Sequence, residues 1–475
     1  MVDERWRQPL DEAWAVLDPE AAGAPVWSGR LEVTGEADRL RSCLPVDEIA
    51  IACAGAALLA AAALQAERGG PVPQALQLDR GHVAAAFRSE AWLRVRGEPA
   101  GAGFAPLSRF WRAADGWVRT HGNYPWHRDA LLRALGCGDD REAVAAAIAS
   151  RGAREVEDLV TGAGGVAAAV RTSAAWRAEP AGQAVTASPL VAGGMQRDSP
   201  VYRIGDAPPR LRAAGTRPAS GIRVLDLTRV IAGPVATRYL AALGADVLRL
   251  DPPHRPELPL QARDGLLGKR SALLDFGTPD GFARLHELLS SADVLVHGYR
   301  PHALDRFGLA PQALAERHPG LVVVSLSAWG SRGPWGGRRG FDSIVQAACG
   351  IAVAESPDAE RPGALPCQLL DHGTGYLCAA AALRALATQA ARGGTLFREL
   401  SLARTGHWLL SQPRGEPADA AAAASAKGDP GAWLTTVASA EGPVTVVKPL
   451  GPLDGVELAW PSPLTRYGGD PPAWR

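Results

Sequence analysis

The chain has 475 residues, 47% of them hydrophobic, and its 50 basic residues balance 50 acidic ones. This length allows roughly two to four domains, and the charge balance argues against a nucleic-acid-binding protein, which would carry a basic excess. The first residues, MVDERWRQPL, are charged where a signal peptide is apolar, so a cytoplasmic protein without membrane contact is expected. The cysteines form no C-x-x-C pair and the histidines no H-E-x-x-H motif, so neither a metal site nor a disulfide framework is predicted.

The first 220 residues divide into four predicted parts. Residues 1–46 are an N-terminal segment, and residues 47–109 contain a long apolar helix and a connecting segment. Residues 110–200 are predicted as a small α+β domain, because FWRAADGWVRTHGNY has a D-G turn typical of a hairpin and two helical stretches follow it, WHRDALLRALG and REAVAAAIAS. Residues 201–220, rich in Pro, Gly and Arg, are predicted to be a linker.

Residues 221–411 are predicted as an α/β, Rossmann-like domain. The strand-like runs IRVLDL, DVLRLD, DVLVHG and LVVVSLS alternate with helical stretches such as GPVATRYLAALGA, which favours a parallel sheet with helices on both faces. Ligands bind such sheets at the carboxyl ends of the strands, so the loops TRVIAGP, HGYRPHAL and SAWGSRGPWGG are candidate binding segments. Residues 412–475 are predicted as a partly mobile tail, with an alanine run at 420–426 and a strand pair around PVTVVKP.

An internal repeat links the two halves of the chain. Residues 47–80 align without gaps on residues 371–404, with 14 of 34 positions identical, including the initial Asp and the ending Q-A-x-R-G-G. Each copy is predicted as a helix that ends at glycine and is followed by a strand.

Asp371, in the stretch LLDHGTGY, is the first residue of the second copy, and it allows two interpretations. An Asp before an alanine-rich helix is usually an N-cap, as expected for its counterpart Asp47. However, Gly373 and Gly375 are poor helix formers in the first turn, which suggests that a ligand approaches the backbone there. The helix dipole would then keep the carboxylate of Asp371 ionised and available as a nucleophile.

Six successive blocks resemble the family III coenzyme A transferases, the group of formyl-CoA and carnitine-CoA transferases. They are GIRVLDLTRVIAGPVATRYLAALGADVLRLDPP, GKRSALLDF, ADVLVHGYRPHALDRFGL, GLVVVSLSAWGSRGPW, GFDSIVQAACGIA and LLDHGTGYLCAAAALRAL, all between about residues 221 and 404. Earlier segments, ALQAERGG, FWRAADGWVRTHGNY and DLVTGAGGVAAAVRT, are similar to parts that normally follow the Asp block, so the resemblance implies a permuted domain order. Family members form interlocked dimers, so a homodimer is expected.

The resemblance also implies roles for individual residues. Asp371 matches the aspartate that attacks an acyl-CoA thioester, so coenzyme A is expected as a substrate together with a carboxylic acid acceptor, and no tightly bound cofactor is expected. Arg306 and Ala303 match the stretch that contacts CoA, and Val230 and Ile231 match the loop that lines the acyl site. Phosphate contacts are predicted more weakly for Lys269 and Arg270.

Departures from the family pattern bear on the substrate and on catalysis. Ile231 and Trp329 stand where formyl-CoA transferase has a glutamine and a tyrosine, so formyl and oxalyl groups are not expected, and an acyl site lined by Val230, Ile231 and Trp329 favours a medium or branched chain. His302 replaces a glycine of the CoA loop. RGEPAGAGFAP, with Gly97, Gly101 and Gly103, is the candidate for the glycine-rich loop that covers the site.

Two alternatives to a transferase remain. The first is an α-methylacyl-CoA racemase, which needs paired acid and base residues; its pattern has a histidine before the aspartate of a G-H-D block, where this chain has Phe341. The second is a non-catalytic CoA-binding relative, which the unusual domain order allows.

Overall fold

The computed structural model describes residues 4–17, 28–37, 39–71, 76–196, 217–414, 430–453, 455–461 and 463–475. The strands are β1 (Leu31–Thr34), β2 (Leu76–Asp79), β3 (Arg94–Val95), β4 (Glu98–Pro99), β5 (Phe110–Arg112), β6 (Trp117–Thr120), β7 (Ala167–Ala169), β8 (Ala192–Gln196), β9 (Arg223–Leu227), β10 (Asp246–Asp251), β11 (Arg270–Leu273), β12 (Val294–His297), β13 (Val322–Ser327), β14 (Thr395–Ser401), β15 (Leu434–Val437), β16 (Val444–Val447), β17 (Pro452–Leu453) and β18 (Val456–Glu457). The α-helices are α1 (Arg7–Leu17), α2 (Val46–Glu67), α3 (Arg80–Ala86), α4 (Ser89–Trp92), α5 (Pro125–Leu135), α6 (Arg141–Ala149), α7 (Ala153–Gly162), α8 (Ser173–Ala178), α9 (Pro180–Thr186), α10 (Ala232–Ala242), α11 (Pro259–Gly265), α12 (Pro279–Leu289), α13 (Pro311–Arg317), α14 (Asp342–Cys349), α15 (Ile351–Ala354), α16 (Leu369–Arg392) and α17 (Leu402–Ser411).

The main sheet has seven strands in the order β11-β10-β9-β12-β13-β14-β8, and all of its pairs are parallel except β14 with β8. Its strands are buried on both faces, as strand β12 illustrates. Val294 and Val296 lie in the core that contains α10 and α16, whereas Leu295 points into a second core with α12. A buried parallel sheet explains the nearly continuous apolar runs in the sequence. The predicted α/β class is therefore confirmed.

A smaller α+β unit precedes this sheet in the chain. Strands β5, β6 and β7 form an antiparallel sheet, and Trp111, Val118, Leu131 and Val156 pack between that sheet and α5 to α7. The predicted hairpin is confirmed, because Arg112 pairs with Trp117 across the turn. The unit is shorter than residues 110–200, since β8 instead adds an edge strand to the main sheet.

The end of the chain packs on both sides of the main domain. Strands β15 and β16 join β3 and β4 in a four-stranded sheet, and the indole of Trp474 donates a hydrogen bond to the carbonyl of Leu288 at 3.1 Å. The predicted strand at PVTVVKP is therefore present, and the final residues are anchored on α12. The alanine run at 420–426, and residues 201–216 of the predicted linker, lie outside the described residues.

The sequence repeat is also a structural repeat. In each copy the long helix is followed by a strand that pairs in parallel with an earlier strand: Leu76 pairs with Leu31, and Leu400 pairs with Leu326. The two long helices, α2 and α16, pack directly on each other. Helix α2 is apolar and long enough to cross a membrane, but 89% of its most apolar window is buried inside the fold. Helix α2 is therefore a core helix of the fold.

Candidate active site

Asp371 is the third residue of α16 and not its N-cap, which is Gln368. Its own backbone N–H donates to Oδ2 of Asp342 at 3.0 Å, so the carboxylate of Asp342 caps this turn. Asp371 is 6% exposed, and no described Lys or Arg forms an ion pair with its carboxylate. The N-cap interpretation of Asp371 was therefore wrong.

Asp47, the counterpart of Asp371 in the first repeat, has a structural role. Its carboxylate accepts a hydrogen bond from the backbone N–H of Leu40 at 3.3 Å and pairs with the guanidinium of Arg80 at 3.4 Å. In the second repeat the equivalent Arg404 turns away and donates to the carbonyl of Ser188 at 2.6 Å. The carboxylate of Asp47 is therefore neutralised by an arginine, whereas no described arginine neutralises that of Asp371 in the second copy.

Burial dominates the electrostatics of Asp371. Burial raises the pKa of Asp371 well above its ordinary value, and the carboxyl groups of Asp342 and Glu90 raise it further. Burial also raises the pKa of Asp342 to about 6, although hydrogen bonds from Gln346 and the backbone oppose the shift. The expectation that the helix dipole keeps Asp371 ionised was wrong, because removing the carboxylate from water outweighs the favourable end of the helix.

Glu90 and His372 form a buried pair beside this site. Nε2 of His372 lies 3.0 Å from Oε2 of Glu90, and the histidine side chain is fully buried. Burial alone would raise the pKa of Glu90, but the charge of His372 and its hydrogen bond lower it below the ordinary value. Glu90 belongs to α4, so the segment that follows the first repeat contributes a charged group to the cavity around Asp371.

Asp371 opens into a small cavity of about 80 Å³. Val230 and Ile231, from the loop after β9, form one wall of it. Val230 has φ 67°, unusual for a β-branched residue, and its N–H donates to the buried carboxylate of Glu257 at 2.9 Å, which holds this conformation. Two residues of the loop after the first strand of the domain therefore line the same cavity as Asp371, and their role at an acyl site stays a prediction.

Other parts of the lining come from the small α+β unit, from the segment before it and from Phe341. The ring of His121 stacks on Phe341 with centroids 3.8 Å apart, and both line the cavity. Asn123 fastens the loop that contains Gly103 and Phe104, because its amide donates to the carbonyl of Gly103 at 2.8 Å. The candidate glycine-rich loop thus borders the cavity.

Gly373 and Gly375 serve helix packing. A Cβ on Gly375 would lie 2.4 Å from the carbonyl oxygen of Ala232 in α10, and one on Gly373 would lie 3.2 Å from Sγ of Cys53 in α2. The glycines therefore let two neighbouring helices approach α16 closely. The inference that they admit a ligand was wrong.

Lys269 and Arg270 have structural partners. The ammonium group of Lys269 is fully buried, 2.9 Å from Oδ2 of Asp226, and burial lowers its pKa to about 8. The guanidinium of Arg270 pairs with Asp246 at 2.7 Å. Neither cation is available to a phosphate in this arrangement.

The remaining predicted residues follow β12 and β13, whose carboxyl ends meet the same sheet edge as β9. Arg306 is exposed, with its guanidinium carbon 4.6 Å from the Phe307 ring centroid, and Ala303 lies in a turn with its N–H bonded to the carbonyl of Arg300. His302 has φ 65°, which explains why a glycine would suit its place. Trp329 is buried against Trp335 and does not line the Asp371 cavity.

Three titratable residues that line the cavity were missed as site residues: Glu90, His121 and Asp342. Asp342 had a usable signal, because it lies in the GFD block that was already compared with an acid-base motif. His121 was treated only as part of a structured loop, and nothing in the sequence near Glu90 marks it. Within the described ranges, no group of three His, Cys, Asp or Glu side chains is arranged to hold a metal ion.

Comparison with known proteins gives a consistent picture. Residues 219–436 match the family model described as CoA-transferase family III. A probable fatty acyl-CoA transferase, Rv3272 of Mycobacterium tuberculosis, is 33% identical over 36% of this chain and 46% of its own length. Formyl-CoA:oxalate CoA-transferase of Streptomyces coelicolor is 36% identical over 35% of this chain and 43% of its own. Succinate–glutarate CoA-transferase of Agrobacterium fabrum is 34% identical over 30% and 40%. The chain thus spans about half the length of the curated relatives it matches, or less.

Proposed function

From the match of residues 219–436 to the family model of the CoA-transferase family III, we propose that the protein transfers coenzyme A from an acyl-CoA donor to a carboxylic acid, with Asp371 as the nucleophile. The observation that carries the proposal is the buried carboxyl group of Asp371, which has no cationic partner among the described residues and opens into a cavity beside Val230 and Ile231. The repeat strengthens it, because Asp47 at the equivalent position is neutralised by Arg80.

In the proposed reaction, a carboxylate oxygen of Asp371 attacks the thioester carbonyl, the carbon–sulfur bond breaks and CoA leaves as its thiolate. The resulting mixed anhydride is attacked by that thiolate at the aspartyl carbonyl, which releases the donor acid and leaves an aspartyl-CoA thioester. The acceptor carboxylate then displaces the thiolate from this thioester. The thiolate finally attacks the acceptor carbonyl, which forms the new acyl-CoA and restores Asp371. Covalent catalysis thereby divides one transfer into smaller steps.

The raised pKa of Asp371 has a catalytic consequence. A protonated carboxyl group is a poor nucleophile, so Asp371 must lose its proton before it attacks, and the rate of the first step should rise with pH. Once ionised, a more basic carboxylate is the better nucleophile. Asp342 and the Glu90–His372 pair act in this proposal by setting the pKa of Asp371, whereas Asp371 alone forms the bond.

Coenzyme A is proposed to bind along the sheet edge formed by the loops after β9 and β12, with exposed Arg306 contacting a phosphate group. The loop that contains Gly101 and Gly103 would shield the anhydride from water. A cytoplasmic location and a homodimer remain predictions, and light scattering on the purified protein measures the second.

An α-methylacyl-CoA racemase is not favoured, because Phe341 stands where the racemase pattern has a histidine and cannot transfer a proton. The relatives named above are CoA transferases or a probable acyl-CoA transferase.

The transferase proposal is tested by trapping. Hydroxylamine added with an acyl-CoA should convert Asp371 to a hydroxamate, which intact-mass and peptide mass spectrometry detect. Asp371→Asn should form none. Asp47→Asn is the matched control, since it alters the same repeat position outside the cavity and should still form the hydroxamate. A folded wild-type protein that forms no hydroxamate would leave only CoA binding.

A further inference from the structure

The size of the Asp371 cavity limits the acyl group it can hold. The thioester carbonyl must reach the carboxylate of Asp371, so the acyl group must occupy this cavity of about 80 Å³. An apolar protein cavity of about 150 Å³ accommodates benzene, or roughly 25 Å³ per heavy atom, so 80 Å³ accommodates about three heavy atoms. An acetyl group has that size and a propionyl group is one carbon larger.

The walls of the cavity are held in place by their own contacts. Ile231 immediately precedes α10 and is 8% exposed. Phe341 is clamped by the stacked ring of His121, and the guanidinium carbon of Arg119 lies 4.7 Å from the ring centroid of Phe104. Because packed side chains do not yield freely, Ile231 and Phe341 should resist a longer acyl chain, whereas Phe104 is 42% exposed and offers no such resistance.

The charge of the cavity limits the acyl group in a second way. Three carboxyl groups line it, those of Glu90, Asp342 and Asp371, and its described lining contains no Lys or Arg. Arg119 is not part of the lining: its guanidinium lies over the aromatic rings of Phe104 and Phe110, although its charge also acts on the carboxyl group of Asp342. A free carboxylate on the acyl group, as in a dicarboxylic acid, would therefore lie among acidic groups with no described Lys or Arg in contact with it.

On the basis of the proposed transferase function, we propose that the acyl group accepted by this protein is short and uncharged, of two or three carbons, and that dicarboxylic and long-chain acyl groups are rejected. This replaces the expectation of a medium or branched chain. That expectation rested on Val230, Ile231 and Trp329 lining the acyl site, and of these Trp329 packs against Trp335 and does not line the cavity.

The test compares the initial rates of hydroxamate formation at Asp371 with acetyl-, propionyl-, octanoyl- and succinyl-CoA at equal concentration, each corrected by the Asp371→Asn variant. Acetyl- or propionyl-CoA should react at least about 100-fold faster than succinyl-CoA, because like charges are buried together. They should react at least about tenfold faster than octanoyl-CoA, because of its length. Succinyl or octanoyl rates equal to or above the acetyl rate would overturn the inference while supporting the transferase. No hydroxamate from any donor would refute the proposed function and, with it, this inference.

Two variants test size and charge separately. Ile231→Ala enlarges one wall and should move the preferred donor from acetyl or propionyl toward butyryl and hexanoyl groups. Gln261→Lys places a cation in the lining and should raise the succinyl rate relative to the acetyl rate by about tenfold or more. Unchanged ratios in both folded variants would contradict the assignment of this cavity to the acyl group.

Discussion

Replacing Asp342 with Asn should remove one part of the pH-dependent loss of stability that the buried carboxyl groups cause. Burial raises the pKa of Asp342 from 3.8 to about 6, so the folded protein holds this proton more tightly than the unfolded chain does. For an acid with a raised pKa, the stabilisation is complete below the unfolded value and is lost as pH rises through the folded value. A shift of about two units corresponds to about 3 kcal/mol, of which about 2 kcal/mol is lost between pH 4.5 and 7.5.

The assay is urea unfolding of both proteins at those two pH values. The wild type should lose at least about 2 kcal/mol more free energy of unfolding than Asp342→Asn on going from pH 4.5 to pH 7.5. The variant also relieves Asp371 of a neighbouring charge, which adds to the difference. The comparison between pH values cancels the cost of the altered cap on α16. Equal pH dependence in the two proteins would refute the account of the buried carboxyl pair.

Three further predictions concern packing, ion pairing and the pKa of the nucleophile. Gly375→Ala should lower the free energy of unfolding by about 1–3 kcal/mol, because its Cβ would overlap a carbonyl oxygen of α10. Gly162→Ala is the control and should not destabilise the fold, because there is open space around that position. Urea unfolding measures both variants. Lys269→Met should cost about 3–5 kcal/mol by stranding its buried carboxylate partner, yet calorimetry should find CoA affinity unchanged in the folded variant. Glu90→Gln should shift the pH profile of hydroxamate formation to lower pH, because one charge that raises the pKa of Asp371 is removed; an unchanged profile would exclude this role.

Local patterns predicted the scaffold well. Apolar runs and helical periodicity are properties of neighbouring residues, so the strands β9, β10, β12 and β13, helix α10 and the β5–β6 hairpin were all expected at about their observed positions, whereas β11 was not predicted. The repeat also predicted the glycine after each long helix, and Gly69 and Gly393 have φ of 78° and 72°. The addition of β8 to the main sheet was not predictable, because an antiparallel edge strand depends on a distant partner.

The sequence indicated only those residues of the site that lie in a short motif. Val230, Ile231 and Asp371 lie in quoted blocks and share one cavity. Glu90 was not predictable, since it is 282 residues from His372 in the chain and meets it only through folding.

Local chemistry misled the interpretation where tertiary contacts decide. Glycines in a helix turn are compatible with a ligand or with a close helix, and the structure has the close helix at Gly375. A Lys-Arg pair is equally compatible with a phosphate or with buried carboxylates, and Lys269 has the carboxylate. In both cases the sequence indicated a need for space or for an opposite charge, but it did not indicate which group is in contact with the residue.

The most direct test of Asp371 as the nucleophile follows an oxygen atom from the acceptor acid into the protein. With acetyl-CoA as donor and propionate labelled with oxygen-18 as acceptor, each completed turnover transfers one oxygen atom from the acceptor to the carboxylate of Asp371. Peptide mass spectrometry should therefore find oxygen-18 in the peptide that contains Asp371 and none in the peptide that contains Asp47. Formation of propionyl-CoA with no label in the Asp371 peptide would contradict the account.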